Sequence, residues 1–462
     1  MPSSNALLKV DRQLLGEIYT SDEAWKNMLY LCEECGSRFI GTDEEVKARN
    51  FMRRKFKAFG FENVRLESFP YLCWSRSPKG PSLKVILPDE FEIKNTISLP
   101  YCPATSTHGV VADVIDVGDG VPNDFKRVEK QISGRIVIAT NTTPAYFRER
   151  WIHRAEKYGR AVAAGAVGFI YVNMSDGLLP ETGCLRFNQE AEIPGVSISK
   201  EDYFKLTRLA SKRKLKMKLI TRDSVQPAKA YNVVGDLPGN RKSEEMVIVG
   251  AHYDGHDVSP GAGDNANGAA VLLETARVLS TVRKHLRRTV RFVSFCCEEI
   301  GLIGAFEYVK KHKTELDRAR FMLNIDGIPA GEAKGLLFHG WEGMKPYVAR
   351  LSKEMNYRIP FGSRLSAYSD FFPYFLAGVP TASIANPNIP SRGRGVGHTA
   401  ADTPDKIDPR DLREAVDVIS RIILRVANDD KWPLRRRAQT EVERLLVETG
   451  LDEILEAQGK KP

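Results

Sequence analysis

The hydrophobic pattern changes character along the chain, and its plainest part begins at Tyr231. From there short runs rich in Val, Ile and Phe recur: YNVVGDL, MVIVGAH, TVRFVSFCC, FMLNIDG, GLLFHG and VPTASIA. Stretches with apolar residues at helical spacing, such as GAAVLLETARVLSTV and GAFEYVKKHKTEL, lie between several of them. Strands buried on both faces lose the in–out alternation of a half-exposed strand. Near-continuous apolar strands alternating with helices therefore predict an α/β fold with a mostly parallel central sheet flanked by helices. PRDLREAVDVISRIILRVAN, residues 409–428, predicts an amphipathic closing helix.

Upstream the texture is different. The first hundred residues mix helix and strand. Thr42 and Glu45 have capping-box spacing. They open a helix with Ala48, Met52, Phe56 and Phe59 at helical spacing, and Gly60 is placed to end it. The strand NVRLESF follows. From 105 to 227 short β and α pieces alternate: GRIVIAT, a helix running through the small-residue run Ala163–Ala166 into GFIYV, then IPGVSIS and LKMKLIT. That is a compact module of domain size. The expected organisation is a split α/β domain, 1–104 and 228–428, with a smaller α/β insert at 105–227 and a charged helical extension at 429–462.

Composition narrows the picture modestly. A chain of 462 residues is too long for one ordinary core, which agrees with an inserted module. The net charge of +9 is spread thinly. Its densest runs, KHLRR and LRRRAQ, carry no interleaved aromatics and read as solvated faces, so no nucleic-acid partner is expected. No apolar run approaches the roughly 18 residues of a membrane span, and the N-terminus has no secretion-signal pattern. Seven scattered cysteines include one CxxC, Cys32 and Cys35, without a second pair or a nearby histidine. They read as packing thiols in a reducing, cytoplasmic setting.

The candidate chemistry sits at the strand ends. His252 and Asp254 follow MVIVG, Glu298 and Glu299 follow TVRFVSFCC, and Asp326 follows FMLNI. Asp264 lies in the glycine-rich loop before a helix starting near Ala266, and His398 lies in GVGHTAADT after VPTASIA. In open α/β sheets the ligand crevice lies at the carboxyl ends of the strands. Singly, Asp264 reads equally well as a helix cap and the Glu pair as solvated loop. Together, so many carboxylates on one sheet edge call for a cation. Imidazole with carboxylate and no thiolate suits zinc, with manganese or cobalt as alternatives. Cys296 and Cys297 adjoin the set and read as packing residues. Five ligand-type groups exceed the usual three of a single catalytic zinc, and two ions sharing one carboxylate use the set fully. HExxH, GxSxG and GxxxxGK[ST] are absent, which disfavours helix-borne single-zinc proteases, serine α/β-hydrolases and P-loop NTPases.

HYD (252–254), GAGDNANG (261–268), CEEIGLIGA (297–305), NIDG (324–327), SDFFPYFLAGVP (369–380) and GHTAADTPDKID (397–408), in that order, resemble the dizinc aminopeptidase family. That family also holds glutamate carboxypeptidase, the transferrin receptor and glutaminyl cyclase. GRIVIAT and the AxxAGAxGFI pattern make 105–227 resemble the protease-associated domain often inserted in these enzymes. The resemblance implies two zinc ions per chain. His252, Asp264 and Asp326 would hold one, and Asp264, Glu299 and His398 the other, with Asp264 bridging. It implies Glu298 as general base and Asp254 as the group that orients His252. Phe371 departs from the histidine many relatives carry there, a position that is not a ligand.

The implied activity is hydrolysis of amino-terminal residues from short peptides by a metal-activated water, with homo-oligomer formation left open. Arg392 and Arg394, close before His398, would instead favour a carboxypeptidase or dipeptidase if they turn inward. Cyclisation chemistry is disfavoured by the insert, and a non-catalytic binding protein by the complete ligand set. Tyr368 is either an oxyanion donor or a core tyrosine. His256 reads as a loop histidine beside a site whose ligand count is full.

Overall fold

The computed structural model describes residues 4–144, 146–147, 150–388 and 395–459. Two eight-stranded sheets organise them. The larger has the spatial order Glu62–Ser75, Ser224–Leu237, Arg288–Phe295, Lys242–His252, Ala319–Asn324, Thr381–Ala385, Gly335–Phe338, Phe361–Ser363. Its centre, from Arg288–Phe295 to Thr381–Ala385, is parallel. Antiparallel pairings occur towards both edges. MVIVGAH, TVRFVSFCC, FMLNIDG and VPTASIA supply the parallel centre, as their lack of alternation predicts, whereas YNVVGDL and GLLFHG pair antiparallel on either side of it.

The strands Arg288–Phe295, Lys242–His252 and Ala319–Asn324 each feed two cores. Val247 and Val249 pack into one layer and Ile248 into the other, the period-two consequence of the pleat. The first layer is covered by the helices Asn267–Thr281 and Pro409–Asn428 together with Ser4–Tyr19 and Asp43–Ala58. The second is covered by Ile303–Lys311 and Phe371–Leu376. The charged extension joins this second layer: its helices Gln439–Glu448 and Leu451–Ala457 bury Val442, Leu446, Leu451, Ile454 and Leu455 there. A residue pattern that lies outside the sheet nevertheless completes its cover.

The helix Asp43–Ala58 shows how a local signal is redirected by its surroundings. Thr42 caps it, accepting from the Glu45 backbone N–H at 3.3 Å, and Gly60 follows at φ +72°. The Glu45 carboxylate is buried and accepts instead from the Tyr253 hydroxyl at 2.6 Å, beside the site described below.

The second sheet runs Phe91–Glu92, Ser82–Leu87, Lys216–Ile220, Val110–Asp116, Ile136–Thr140, Gly168–Asn173, Gly195–Ser199, Thr96–Ser98. It recruits Ser82–Leu87, Phe91–Glu92 and Thr96–Ser98, which lie ahead of the 105 boundary read from texture; the last two are only two and three residues long. The helix expected before GFIYV occupies only Arg154–Ala163, one of three in this module with Pro122–Ile132 and Lys200–Ala210; it is capped by His153, whose Nδ1 accepts from the Ala155 backbone N–H at 3.0 Å. All seven cysteines are buried, Cys32 and Cys35 included, and burial raises both of those thiols to about 11. No helix among the described residues is long and apolar enough to cross a membrane.

Candidate active site

The parallel centre of the large sheet brings its strand ends together, and the loops leaving them supply the acidic and imidazole groups. His252 is the last residue of Lys242–His252 and is fully buried. Its Nδ1 faces the carbonyl of Asp254 at 3.2 Å, leaving Nε2 aimed at two carboxylates. Those are Asp264 at 3.3 Å and Asp326 at 3.4 Å. His398 Nε2 lies 3.2 Å from the other oxygen of Asp264 and 3.1 Å from Glu299. Asp264 thus stands between two histidines, one facing each of its oxygens.

These spacings have a simple geometric reading. Donors about 2.0–2.1 Å from one ion at tetrahedral angles stand about 3.3 Å apart. The edges around His252 and His398, 3.1–3.4 Å, match that length. His252 Nε2 and Glu299 Oε1 are also buried without a hydrogen-bond partner, which is costly unless something else satisfies them. Mixed imidazole and carboxylate donors with orphaned atoms facing inward fit divalent cations of the zinc class.

Glu298 belongs to the same constellation, grouped with His252 and Asp326, and is partly exposed where Glu299 is buried. Withdrawal from bulk water pushes Glu298 well above the ordinary carboxylate range. The negative charges of Asp326, Glu299 and Asp370 push the same way, and His252 opposes them. A bound cation acts in the opposite direction. The carboxylate of Asp254 accepts from the backbone N–H groups of Glu298 and Glu299 at 3.3 and 3.4 Å and lies 3.7 Å from His252 Nδ1. Asp254 therefore fixes the turn that carries both glutamates as well as standing beside the histidine. Cys296 and Cys297 are fully buried before that turn.

Several supporting residues carry no signal that sequence reasoning picked out. Asp402 accepts from the backbone N–H groups of Gly263 and Asp264 at 2.7 and 3.1 Å, fixing the loop of Asp264. Asn265 donates to the carbonyl of Ile325 and accepts from Gly268 and Gly327 N–H, knitting two strand ends to one loop. A Cβ at Gly268 would meet Asn265 Oδ1 at 2.1 Å and the Ile325 carbonyl at 2.7 Å, so this crossing requires glycine. Ser369 donates to Asp326 Oδ2. Asp370 is fully buried with neither carboxyl oxygen hydrogen-bonded. Burial first, and then the neighbouring carboxylates, push it well above its usual value. Asp402 and Asp370 lie inside quoted motifs, but only the folded contacts give them tasks.

The insert reaches this site. Thr182 and His398 exchange two hydrogen bonds: the Thr182 N–H donates to the His398 carbonyl at 2.8 Å, and His398 Nδ1 faces the Thr182 carbonyl at 3.2 Å. Buried Arg154 donates to the same carbonyl at 2.9 Å. His398 holds a left-handed φ of +62°, a conformation that surrounding contacts must maintain. Tyr368 lies at the same junction, its ring stacked on His153 and edge-on to Trp151, with its hydroxyl accepting from Gln458 of the extension at 2.9 Å. Phe371 stacks on His339 in the second core. Arg392 and Arg394 lie outside the described residues. His256, expected beside the site, is buried within it, 2.9 Å from Glu299.

Comparison with known proteins gives a consistent result. The profile of peptidase family M28 matches residues 232–423, and that of the PA domain matches 99–206. Aminopeptidase YwaD of Bacillus subtilis is 31% identical over 338 residues, 71% of this chain and 70% of that protein. Carboxypeptidase Q of Mus musculus is 25% identical over 422 residues, 89% of this chain and 87% of that protein. Among solved structures, the zinc aminopeptidase BSAP of Bacillus subtilis superposes with a TM-score of 0.68 at 26% identity, covering 87% of this chain and 94% of that one.

Proposed function

From the premise that the chain belongs to peptidase family M28, we propose that it is a zinc-dependent aminopeptidase that removes amino-terminal residues from short peptides at a two-ion centre. The observation that carries the reading is the placement of Asp264, one oxygen 3.3 Å from His252 and the other 3.2 Å from His398. A single carboxylate between two imidazoles is the arrangement a bridged pair of ions needs. His252 and Asp326 would complete one ion's set, and Glu299 and His398 the other's, with zinc as the metal and manganese or cobalt as substitutes.

When bound, the two ions supply an acidified water and a Lewis-acid contact for the scissile carbonyl. Glu298 takes the proton from the attacking water as the new carbon–oxygen bond forms, then delivers it to the amine as the carbon–nitrogen bond breaks. Its position beside His252 and Asp326 supports that role. Asp254 holds the turn on which Glu298 and Glu299 are presented. Seven buried cysteines that form no disulfide support a reducing, cytoplasmic setting.

A carboxylate-rich crevice favours a positively charged α-amine near the scissile bond, and this supports action from the amino terminus. The similarity to carboxypeptidase Q keeps the opposite direction as the specific rival. One peptide offered free, N-acetylated and C-amidated separates them. The aminopeptidase cleaves the free and amidated forms and spares the acetylated one. Cleavage of the acetylated form with sparing of the amidated form would establish a carboxypeptidase instead.

A further inference from the structure

The loop after the strand Lys242–His252 holds a third imidazole for which the two triads above leave no task. His256 is 2% exposed and firmly placed. Arg38, itself fully buried, donates to the carbonyls of Tyr253 at 2.9 Å and Gly261 at 3.1 Å, pinning both ends of the loop. Arg76 grips the adjacent Asp257 through two hydrogen bonds of 2.6 and 2.9 Å, and Phe39 stacks on the His256 ring.

His256 Nε2 lies 2.9 Å from Glu299 Oε2, the same oxygen that is 3.1 Å from His398 Nε2. The two rings meet edge to face with centroids 4.2 Å apart. Despite this proximity neither nitrogen of His256 makes a hydrogen bond, so the 2.9 Å approach lacks hydrogen-bond alignment. A buried imidazole with no hydrogen bond requires an explanation. Donor atoms of His256, Glu299 and His398 all lie within 4.8 Å of one another. Two donors at right angles around an ion, each about 2.05 Å from it, stand about 2.9 Å apart, the spacing found here.

Resting on the two-ion reading above, we propose that His256 is a further donor to the ion held by Glu299 and His398, which makes the two halves of the centre unequal. One half has His256, His398, Glu299 and Asp264; the other has His252, Asp326 and Asp264. Solvent then takes a fifth position in the first half, a coordination number zinc can adopt. Two imidazoles with two carboxylates bias that half towards zinc or cobalt over magnesium or manganese. It keeps its ion when the three-donor half has lost its own.

The test uses the full-length protein, stripped of metal and reloaded with two equivalents of Co2+. Each imidazole coordinated to Co2+ through Nε2 gives a strongly shifted, exchangeable ring N–H proton resonance. Three such resonances are expected, from His252, His398 and His256, and His256→Gln should lose one. The same variant should bind one of the two ions about 10-fold or more weakly in chelator competition, the scale on which groups around a metal act. Two resonances in the unmutated protein carrying two ions would overturn the proposal and leave the two-ion reading standing. Binding of fewer than two ions would overturn both. The unmutated spectrum decides the matter even if the variant folds poorly.

Discussion

At the scale of single residues, two adjacent glutamates face different surroundings because the turn after Arg288–Phe295 points them differently. Glu299 is buried against His398 and His256, whereas Glu298 is partly exposed beside His252 and Asp326. Glu298→Gln should keep both ions and the fold yet lose about 10²–10⁴-fold in turnover, because an amide cannot take the water's proton. Glu299→Gln should lose affinity for one ion. Metal content and turnover measured side by side check both, and the reverse pattern would exchange the two roles. The types of these residues were legible in the sequence, since carboxylates and histidines at strand ends have few other uses in such numbers. The placement of His256 was not. Its approach to Glu299 spans 43 positions of chain and depends on Arg38, a further 218 positions upstream, for which no local pattern exists.

At the scale of elements, the apolar runs that are buried on both faces announced themselves, and the strands they form are those that position the site. The weakest element of the large sheet, Phe361–Ser363, has three half-buried residues and no apolar run to betray it. Strands such as Thr96–Ser98 and Phe91–Glu92 are equally short. Capping signals were readable at Thr42, but the second half of its capping box was taken by Tyr253, a tertiary contact overriding a local one. The link between the insert and His398 is likewise an element-level feature. Because Arg154 and His398 both address the Thr182 carbonyl, Arg154→Met should loosen the His398 ring and weaken retention of its ion by about 10–100-fold. Chelator competition on protein whose circular dichroism is unchanged measures this. Unaltered retention would confine the insert's role to covering the crevice.

At the scale of the whole molecule, insert, sheet and extension converge on one crevice. Thr182 comes from the insert, His252 and Glu299 from the sheet, and Gln458, which donates to Tyr368, from the extension. The Arg186 guanidinium of the insert also donates to the Ala457 carbonyl at 3.3 Å, so the extension contacts both bodies. Domain texture was visible along the chain, but this convergence was not, because it is written in backbone carbonyls and long-range hydrogen bonds that leave no compositional trace. The proposed chemistry requires Asp264 to serve two ions as a shared carboxylate. Metal-free protein titrated with zinc while peptide hydrolysis is followed tests this most directly. Activity should rise until two equivalents per chain are bound and then level off, and full activity reached at one bound equivalent would contradict the bridged pair.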